Sequence, residues 1–442
     1  PLEPANQAHT NGITLADVDK DGRLDVIESK DFSMVVGHSR ILLNRTPPGA
    51  KNPVFEVSPN LHDRGSFGMG SAIEDLDQDG HLDIYNASAG RDFLVYGQPD
   101  GSYADETFSR GFLHEAGAEG GRVQWSPLMV DFNADGRLDM FIRHGHLVEV
   151  ENYQEFGLVS KSEANVLYYQ EEDGRFTRLP CPFDPGTTLS GFDAVAGDVN
   201  GDGFGDVIVG DFMANNAYIY HGGVNGVFPA PTAILHFEGV LELLGAWFGF
   251  SVSGAGDVNN DGFADVVVSA VFDGIGIVYP GSADGVVPDP LYILGGFVQG
   301  SVFSAGTACD LNGDTYSDVV VGSAGTNEVF VYYGSAEGLG DSPGESFNGG
   351  CDCEACLAAP AACAAGTIAP CTGNPDDSCT GNLTTLYSIL FDADGNQQPG
   401  MICATEGVPA ACPGGKSGSY GVSVACAGDA NGDGFADLIV GA

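Results

Sequence analysis

Three observations predict an all-β fold, a seven-bladed β-propeller built from four-stranded antiparallel blades. One Asp/Asn/Gly-rich segment occurs seven times. Most of its copies lie one blade-length apart. Each copy runs directly into a β-branched apolar stretch, which is the composition of a buried strand.

The segments are DVDKDGRLDVI from Asp17, DLDQDGHLDIY from Asp75, DFNADGRLDMF from Asp131, DVNGDGFGDVI from Asp198, DVNNDGFADVV from Asp257, DLNGDTYSDVV from Asp310 and DANGDGFADLI from Asp429. Their spacings are 58, 56, 67, 59, 53 and 119 residues. A period near 60 holds about four strands of 5–6 residues with their turns. The fourth unit shows them as FDAVAGD, DVIVG, NAYIYHG and TAILHFEG. Runs such as Val266-Val267-Val268 and Val319-Val320-Val321 imply burial on both faces, which neighbouring blades supply. The long last gap holds a cysteine-rich insertion. Residues 1–340 therefore read as six blades, 341–415 as the insertion and 416–442 as the inner strands of a seventh blade. Thr384–Phe391 reads as a strand returning to the sixth blade. The last blade is incomplete, since two outer strands are missing after Val440. Either the natural chain is longer or another chain supplies them, and an open strand edge invites such pairing.

Composition narrows the functional classes. The 442 residues carry 61 acidic against 16 basic side chains, a net charge of −45. That field repels nucleic acid and anionic membranes. No run of 18 apolar residues is present, so neither a spanning segment nor direct membrane insertion is expected. No signal peptide is visible, and a chain starting at Pro1 reads as a mature or trimmed product. Eight of the 11 cysteines lie between Cys351 and Cys412. With no histidine among them, they read as disulfides made in an oxidising compartment rather than as a zinc cluster. Cys309 and Cys426 precede their loops on like strands, where a bridge is possible.

The seven loops follow D-x-[DN]-x-D-G-x-x-D. Carboxylates this close repel one another unless a cation joins them. A hard divalent ion takes six or more oxygens at about 2.3–2.6 Å, and calcium tolerates irregular cages better than magnesium does. The expected ligands of the first loop are Asp17, Asp19, Asp21 and Asp25, with the backbone carbonyl of Arg23. In the second they are Asp75, Asp77, Asp79 and Asp83, with that of His81. The third offers Asp131, Asn133, Asp135, Asp139 and the carbonyl of Arg137. The fourth offers Asp198, Asn200, Asp202, Asp206 and that of Phe204. The fifth has Asp257, Asn259, Asp261, Asp265 and Phe263, and the sixth Asp310, Asn312, Asp314, Asp318 and Tyr316. The seventh has Asp429, Asn431, Asp433, Asp437 and Phe435. Up to seven Ca²⁺ ions follow, which would move the net charge from −45 to −31. The sixth loop has Thr315 where the others have glycine, so an awkward backbone conformation is expected there. The first loop also fits an EF-hand, with Glu28 at position 12, but the others lack that residue and all run into strands instead of helices.

Trp247-Phe248-Gly249-Phe250-Ser251-Val252 leads through Gly256-Asp257 to Asp265-Val266-Val267-Val268, and Tyr420-Gly421-Val422-Ser423-Val424 leads similarly to Gly441-Ala442. These stretches resemble the FG-GAP repeat of integrin α-subunit propellers and their bacterial relatives. Units one to three lack the Gly-Asp opening and look more like VCBS-type repeats. The resemblance implies a seven-bladed propeller with calcium loops between the first and second strands of each blade. It departs from integrins in having no inserted metal-dependent adhesion domain, no leg and no proline after Gly-Ala.

The function this suggests is an extracellular or cell-surface adhesion or protein-interaction module with structural calcium, meeting a protein or glycan ligand of the cell surface or matrix. The alternative is a glycan-binding lectin. A polysaccharide- or lipid-degrading enzyme is less favoured, because it needs His, Arg or Lys gathered at the central mouth. His144-Gly145-His146 reads as an exposed loop rather than a metal site. Asn44, Asn86 and Asn382 each begin a glycosylation sequon.

Overall fold

The computed structural model describes residues 10–30, 39–47, 54–60, 68–88, 91–112, 124–144, 165–179, 193–237, 239, 246–295, 302–323, 328–340, 342–348, 386–391, 397–398, 423–428 and 436–441. Blade 1 contains β1 (Thr10–Ala16), β2 (Asp25–Lys30), β3 (Ile41–Asn44) and β4 (Phe55–Val57). Blade 2 contains β5 (Gly68–Glu74), β6 (Asp83–Ser88), β7 (Phe93–Gly97) and β8 (Tyr103–Asp105). Blade 3 has β9 (Gln124–Val130), β10 (Asp139–His144), β11 (Val166–Gln170) and β12 (Phe176–Leu179). Blade 4 has β13 (Ala194–Gly197), β14 (Asp206–Asp211), β15 (Asn216–Tyr220) and β16 (Ala233–His236). Blade 5 has β17 (Phe248–Gly256), β18 (Asp265–Ala270), β19 (Ile275–Tyr279) and β20 (Tyr292–Gly295). Blade 6 has β21 (Val302–Cys309), β22 (Asp318–Ser323), β23 (Glu328–Tyr332) and β24 (Glu345–Asn348). In all six, four consecutive strands pair antiparallel in chain order.

The first strand of each blade lies against the first strand of the next, from β1 through β5, β9, β13 and β17 to β21. That places first strands innermost and fourth strands outside. Burial follows the same order. Every residue of β2, β6, β10, β14, β18 and β22 is buried. The outer strands β4, β16 and β20 are largely exposed.

The apolar run of a second strand serves two cores at once, because alternate side chains leave a strand on opposite faces. Val266 and Val268 pack with Ile208, Ile219 and Phe248 toward blade 4. Val267, between them, packs with Val319, Val321 and Tyr332 toward blade 6. Val320 faces away in turn, onto Val424 and Leu438. Each fully buried Val or Ile contributes about 1.5–3 kcal/mol, so stability here resides in the seams between blades. Backbones also meet across these seams. A Cβ at Gly249 would lie 2.3 Å from the carbonyl oxygen of Asn216, and one at Gly210 would lie 2.0 Å from that of Gly249. Gly249 has φ +85°, so its lack of a side chain is required twice over.

The expectation of seven like blades is corrected: the described residues give six meanders in chain order, not seven. The remaining four-stranded sheet is differently made, from β25 (Leu386–Phe391), β26 (Gln397–Gln398), β27 (Ser423–Gly428) and β28 (Asp437–Gly441), in the order β26-β25-β28-β27. β25 was expected to return to blade 6. The outer edge of β23 is already taken by β24, and β25 pairs instead with β28. The edge of β28 expected to await a C-terminal extension or a second chain is thus filled by a preceding segment of this chain. β27 lies against β21. The cysteines from Cys351 to Cys412 and the sequon at Asn382 lie outside the described residues.

Three smaller expectations are settled by burial. His144 is buried at the end of β10 rather than in an exposed loop, and His146 is outside the described residues. Asn44 and Asn86 are buried in β3 and β6, which denies both sequons to a glycan on the folded chain. Gly249→Ala is expected to cost about 2–4 kcal/mol in urea unfolding, through overlap and left-handed backbone together.

Candidate metal centres

Six Asp/Asn loops are described, one between the first and second strands of each blade. They share one hydrogen-bond scheme. The loop of blade 5 is representative. Asp257 Oδ1 accepts the amide of Asp261 at 2.9 Å and its Oδ2 that of Gly262 at 2.8 Å. Asp261 Oδ1 then accepts the amide of Phe263 at 3.0 Å. Short acidic side chains favour such local backbone bonds, and here they wind the chain into a tight cup. The corresponding first-position bonds of Asp17, Asp75, Asp131, Asp198 and Asp310 span 2.7–3.1 Å.

The winding needs two left-handed residues. Sequence reasoning assigned one, at position 6, where Gly22, Gly80, Gly136, Gly203 and Gly262 have positive φ. Thr315 shares it with φ 78°, the awkward conformation expected of it. The second, at position 4, was missed. Lys20, Gln78, Ala134, Gly201, Asn260 and Gly313 all have positive φ there. Two glycines and an asparagine among six residues were the available signal.

The ninth residue does something different. Asp25, Asp83, Asp139, Asp206, Asp265 and Asp318 are fully buried at the start of their strands. Each accepts two backbone amides, at 2.7–3.2 Å. One amide is at loop position 2, as with Val258 for Asp265. The other follows or ends the third strand: Asn44, Gly97, Gln170, Gly222, Gly281 or Gly334. The ninth carboxylate therefore clips its loop to the third strand. Burial, only partly offset by these amides, pushes Asp25, Asp206 and Asp265 up to about 6 and Asp83, Asp139 and Asp318 up to about 7. The neighbouring loop carboxylates push Asp83, Asp139, Asp265 and Asp318 further up.

Two loops bring three carboxylates together, with one oxygen of each lying within 4.8 Å of the others: Asp17, Asp19 and Asp21, and Asp75, Asp77 and Asp83. In loops three to six the third position is Asn. Asn133, Asn200, Asn259 and Asn312 each accept the amide of the fifth-position Asp and donate Nδ2 to its carboxylate. The donors are all hard oxygens, which suits calcium or magnesium and not a thiophilic metal. At position 7 the described bonds involve the amides of Arg23, His81, Arg137, Phe204, Phe263 and Tyr316, each donated to the fifth-position Asp. Asp429, Asn431, Asp433 and Phe435 lie outside the described residues, as does the side chain of Asp437. Glu28 is not part of the first loop's cup. It is buried in β2 and paired with Arg40 at 2.8 Å and Lys30 at 3.3 Å, which removes the EF-hand reading.

Two substitutions test this division of roles in metal-free buffer. Asp265→Ala strands two buried amides and is expected to cost about 2–5 kcal/mol, whereas Asp257→Ala exposes its amides to water and costs less than half as much. Thr315→Gly relieves left-handed backbone and is expected to gain about 1 kcal/mol. Chemical unfolding of each variant checks these values.

Residues 75–142 and 198–268 match the FG-GAP-like repeat family model. Over 180 residues the chain is 32% identical to integrin alpha-6 of Gallus gallus, covering 37% of this chain and 16% of that protein. Over 163 residues it is 33% identical to integrin alpha-7 of Homo sapiens, covering 32% and 13%. The chain thus matches only a small part of these relatives' length. Among solved structures, a Lactobacillus plantarum protein is similar with a TM-score of 0.47 at 13% identity, covering 79% of this chain and 87% of that one. An Agrocybe aegerita lectin, described as recognising non-reducing terminal N-acetylglucosamine, has a TM-score of 0.45 at 15% identity over 76% and 79%. From repeats and strand order together, the chain is a β-propeller carrying FG-GAP-like repeats similar to those of integrin α chains.

Proposed function

We propose that this chain is an extracellular adhesion or protein-interaction module whose Asp/Asn loops hold structural calcium. The observation that carries the reading is the six-fold recurrence of one carboxylate cup, wound by its own backbone bonds and clipped to the third strand. Asp or Asn oxygens from positions 1, 3, 5 and 9, with the carbonyl of position 7, would supply the ligands. The seventh loop, from Asp429, would do the same. Calcium there neutralises crowded carboxylates and fixes the turn joining the two innermost strands, so its binding energy adds to folding. The integrin α-chain relatives support a protein ligand and a partner chain.

An extracellular place follows from the same kinship and from the cysteines, which we read as four disulfides within residues 341–415. β21 and β27, which carry Cys309 and Cys426, lie side by side, which supports a bridge there too. Among the described residues no helix is long and apolar enough to cross a membrane. We propose no catalytic role.

One observation favours the glycan reading as a second possibility. A cavity of about 340 Å³ opens between blades 1 and 2, lined among others by Asp19, Asn60, Gln98, Asp100 and Tyr103. Carboxylates and amides beside an aromatic ring suit sugar hydroxyls. Defined hits on a glycan array, lost in Asp100→Ala, would favour this reading over protein adhesion.

Chelation is the direct test of the calcium. Excess EDTA is expected to lower the melting temperature by on the order of 10 °C, restored by Ca²⁺ and less well by Mg²⁺. A melting curve indifferent to EDTA would overturn the reading.

A further inference from the structure

The six described cups are alike in backbone and unlike in what surrounds them. In blade 1, Arg45 follows β3 and reaches into the first loop. Its Nη1 lies 2.5 Å from Asp19 Oδ2 and 2.9 Å from Asp21 Oδ2. Its backbone amide is held by the carbonyl of Val54 at 2.7 Å, and its Nε reaches Glu56 at 3.4 Å. Arg23, at loop position 7, also pairs with Asp21 and donates Nε to the carbonyl of Asn44 at 2.8 Å. The two carboxylates that would close on a metal are thus already bridged by a guanidinium.

The equivalent position in the other blades is found by register. Arg45 is the residue after Asn44, whose amide caps the ninth-position Asp25. Its counterparts after Gly97, Gln170, Gly222, Gly281 and Gly334 are Gln98, Glu171, Gly223, Ser282 and Ser335. None of these is a cation. Arg110 approaches Asp77 of the second loop at 3.4 Å, and Arg137 pairs with Asp135 of the third at 2.5 Å. Neither bridges two loop carboxylates. Between Leu179 and Gly415 the sequence has no Lys or Arg at all, so no permanent cation of their own blades answers the loops of blades 4 to 6.

We propose that Arg45 serves as a tethered cation in the first loop, so that blade 1 keeps its cup without calcium while blades 4 to 6 depend on the metal. This rests on the calcium reading and refines it. A guanidinium whose Nη1 bridges two carboxylates offsets part of their charge, Arg23 on Asp21 adds a second positive charge, and a divalent ion entering the same cup must displace the bridge against direct repulsion. Calcium affinity at the first loop is expected to be on the order of 100-fold weaker than in blades 4 to 6.

Hydrogen exchange on the intact chain, with calcium and with EDTA, reads each loop separately. In the wild type, EDTA should leave protection of residues 17–25 unchanged while residues 198–206, 257–265 and 310–318 exchange faster. Arg45→Gln should make residues 17–25 respond to EDTA and add one bound ion by native mass spectrometry. Arg45→Lys, which keeps the charge, should behave more like the wild type than Arg45→Gln does. Ser282→Arg, which places a guanidinium at the matching position of blade 5, should remove one ion and make residues 257–265 indifferent to EDTA. This reciprocal variant decides the matter even if Arg45→Gln does not fold. A first loop that responds to EDTA like the others in the wild type, or ion counts unmoved by both substitutions, would overturn the role of Arg45 and leave the calcium reading intact. Indifference to EDTA in every loop would overturn that reading, and this proposal with it.

Discussion

The buried carboxylate at the ninth loop position is the interaction on which each blade depends. It sits at the first residue of a strand that has apolar neighbours on both faces. In that place an ionised group is tolerable only if its hydrogen bonds are supplied by the protein. Two backbone amides supply them, one from the loop and one from the end of the third strand. A single side chain thereby sets the start of the second strand, the shape of the cup and the register of the third strand. Asp265 illustrates the consequence: with Val258 and Gly281 both attached to it, Val266, Val267 and Val268 can point only toward their present partners.

The same geometry explains why the ring tolerates so varied an exterior. Packing energy lies in the seams, where second strands alternate between two neighbouring cores. Fourth strands contribute little to those seams, and Ile234 and Ile293 remain exposed on them. Where backbones touch across a seam, as Gly210 and Gly249 do, no side chain is possible. Outside these points the sequence is free to differ from blade to blade, and the identical backbone bonds of the six cups persist around side chains as unlike as Arg23 and Phe263.

Much of this could be read without coordinates, for physical reasons. A repeated carboxylate pattern and a continuous β-branched run are local signals, and they located the loops and second strands of all six meanders. What could not be read depended on distant pairing. β25 looked like a partner for blade 6 because it follows that blade in sequence. Only the occupied edge of β23 and the free edge of β28 decide otherwise. The double role of Asp265 was hidden for a similar reason, since one of its two amides lies 16 residues away. Left-handed Lys20 and Ala134 were hidden because neither residue type advertises that conformation. Arg45 was invisible as a loop partner until β3 brought it beside Asp19.

Charge is distributed around the ring in a way that the repeat itself does not require. Fifteen of the 16 basic residues lie before Leu179, and the remaining one is Lys416. Blades 1 to 3 can therefore answer their own loop carboxylates with arginine, in part or in full. Blades 4 to 6 carry the same cups with Asn in place of the third-position acid that loops one and two have, which lowers the number of charges to be answered. They still place Asp198 with Asp202, Asp257 with Asp261, and Asp310 with Asp314 in exposed loops with no ion pair among the described residues. On the calcium reading, blade 1 answers its cup with its own arginines, while blades 4 to 6 leave theirs to a metal. The arginine-free arc ends on blade 6, against the strand β27, where the regular order of strands gives way to a sheet assembled from two separate stretches of chain. On that reading, removing the ions would loosen the arginine-free blades first, with blade 1 holding its form.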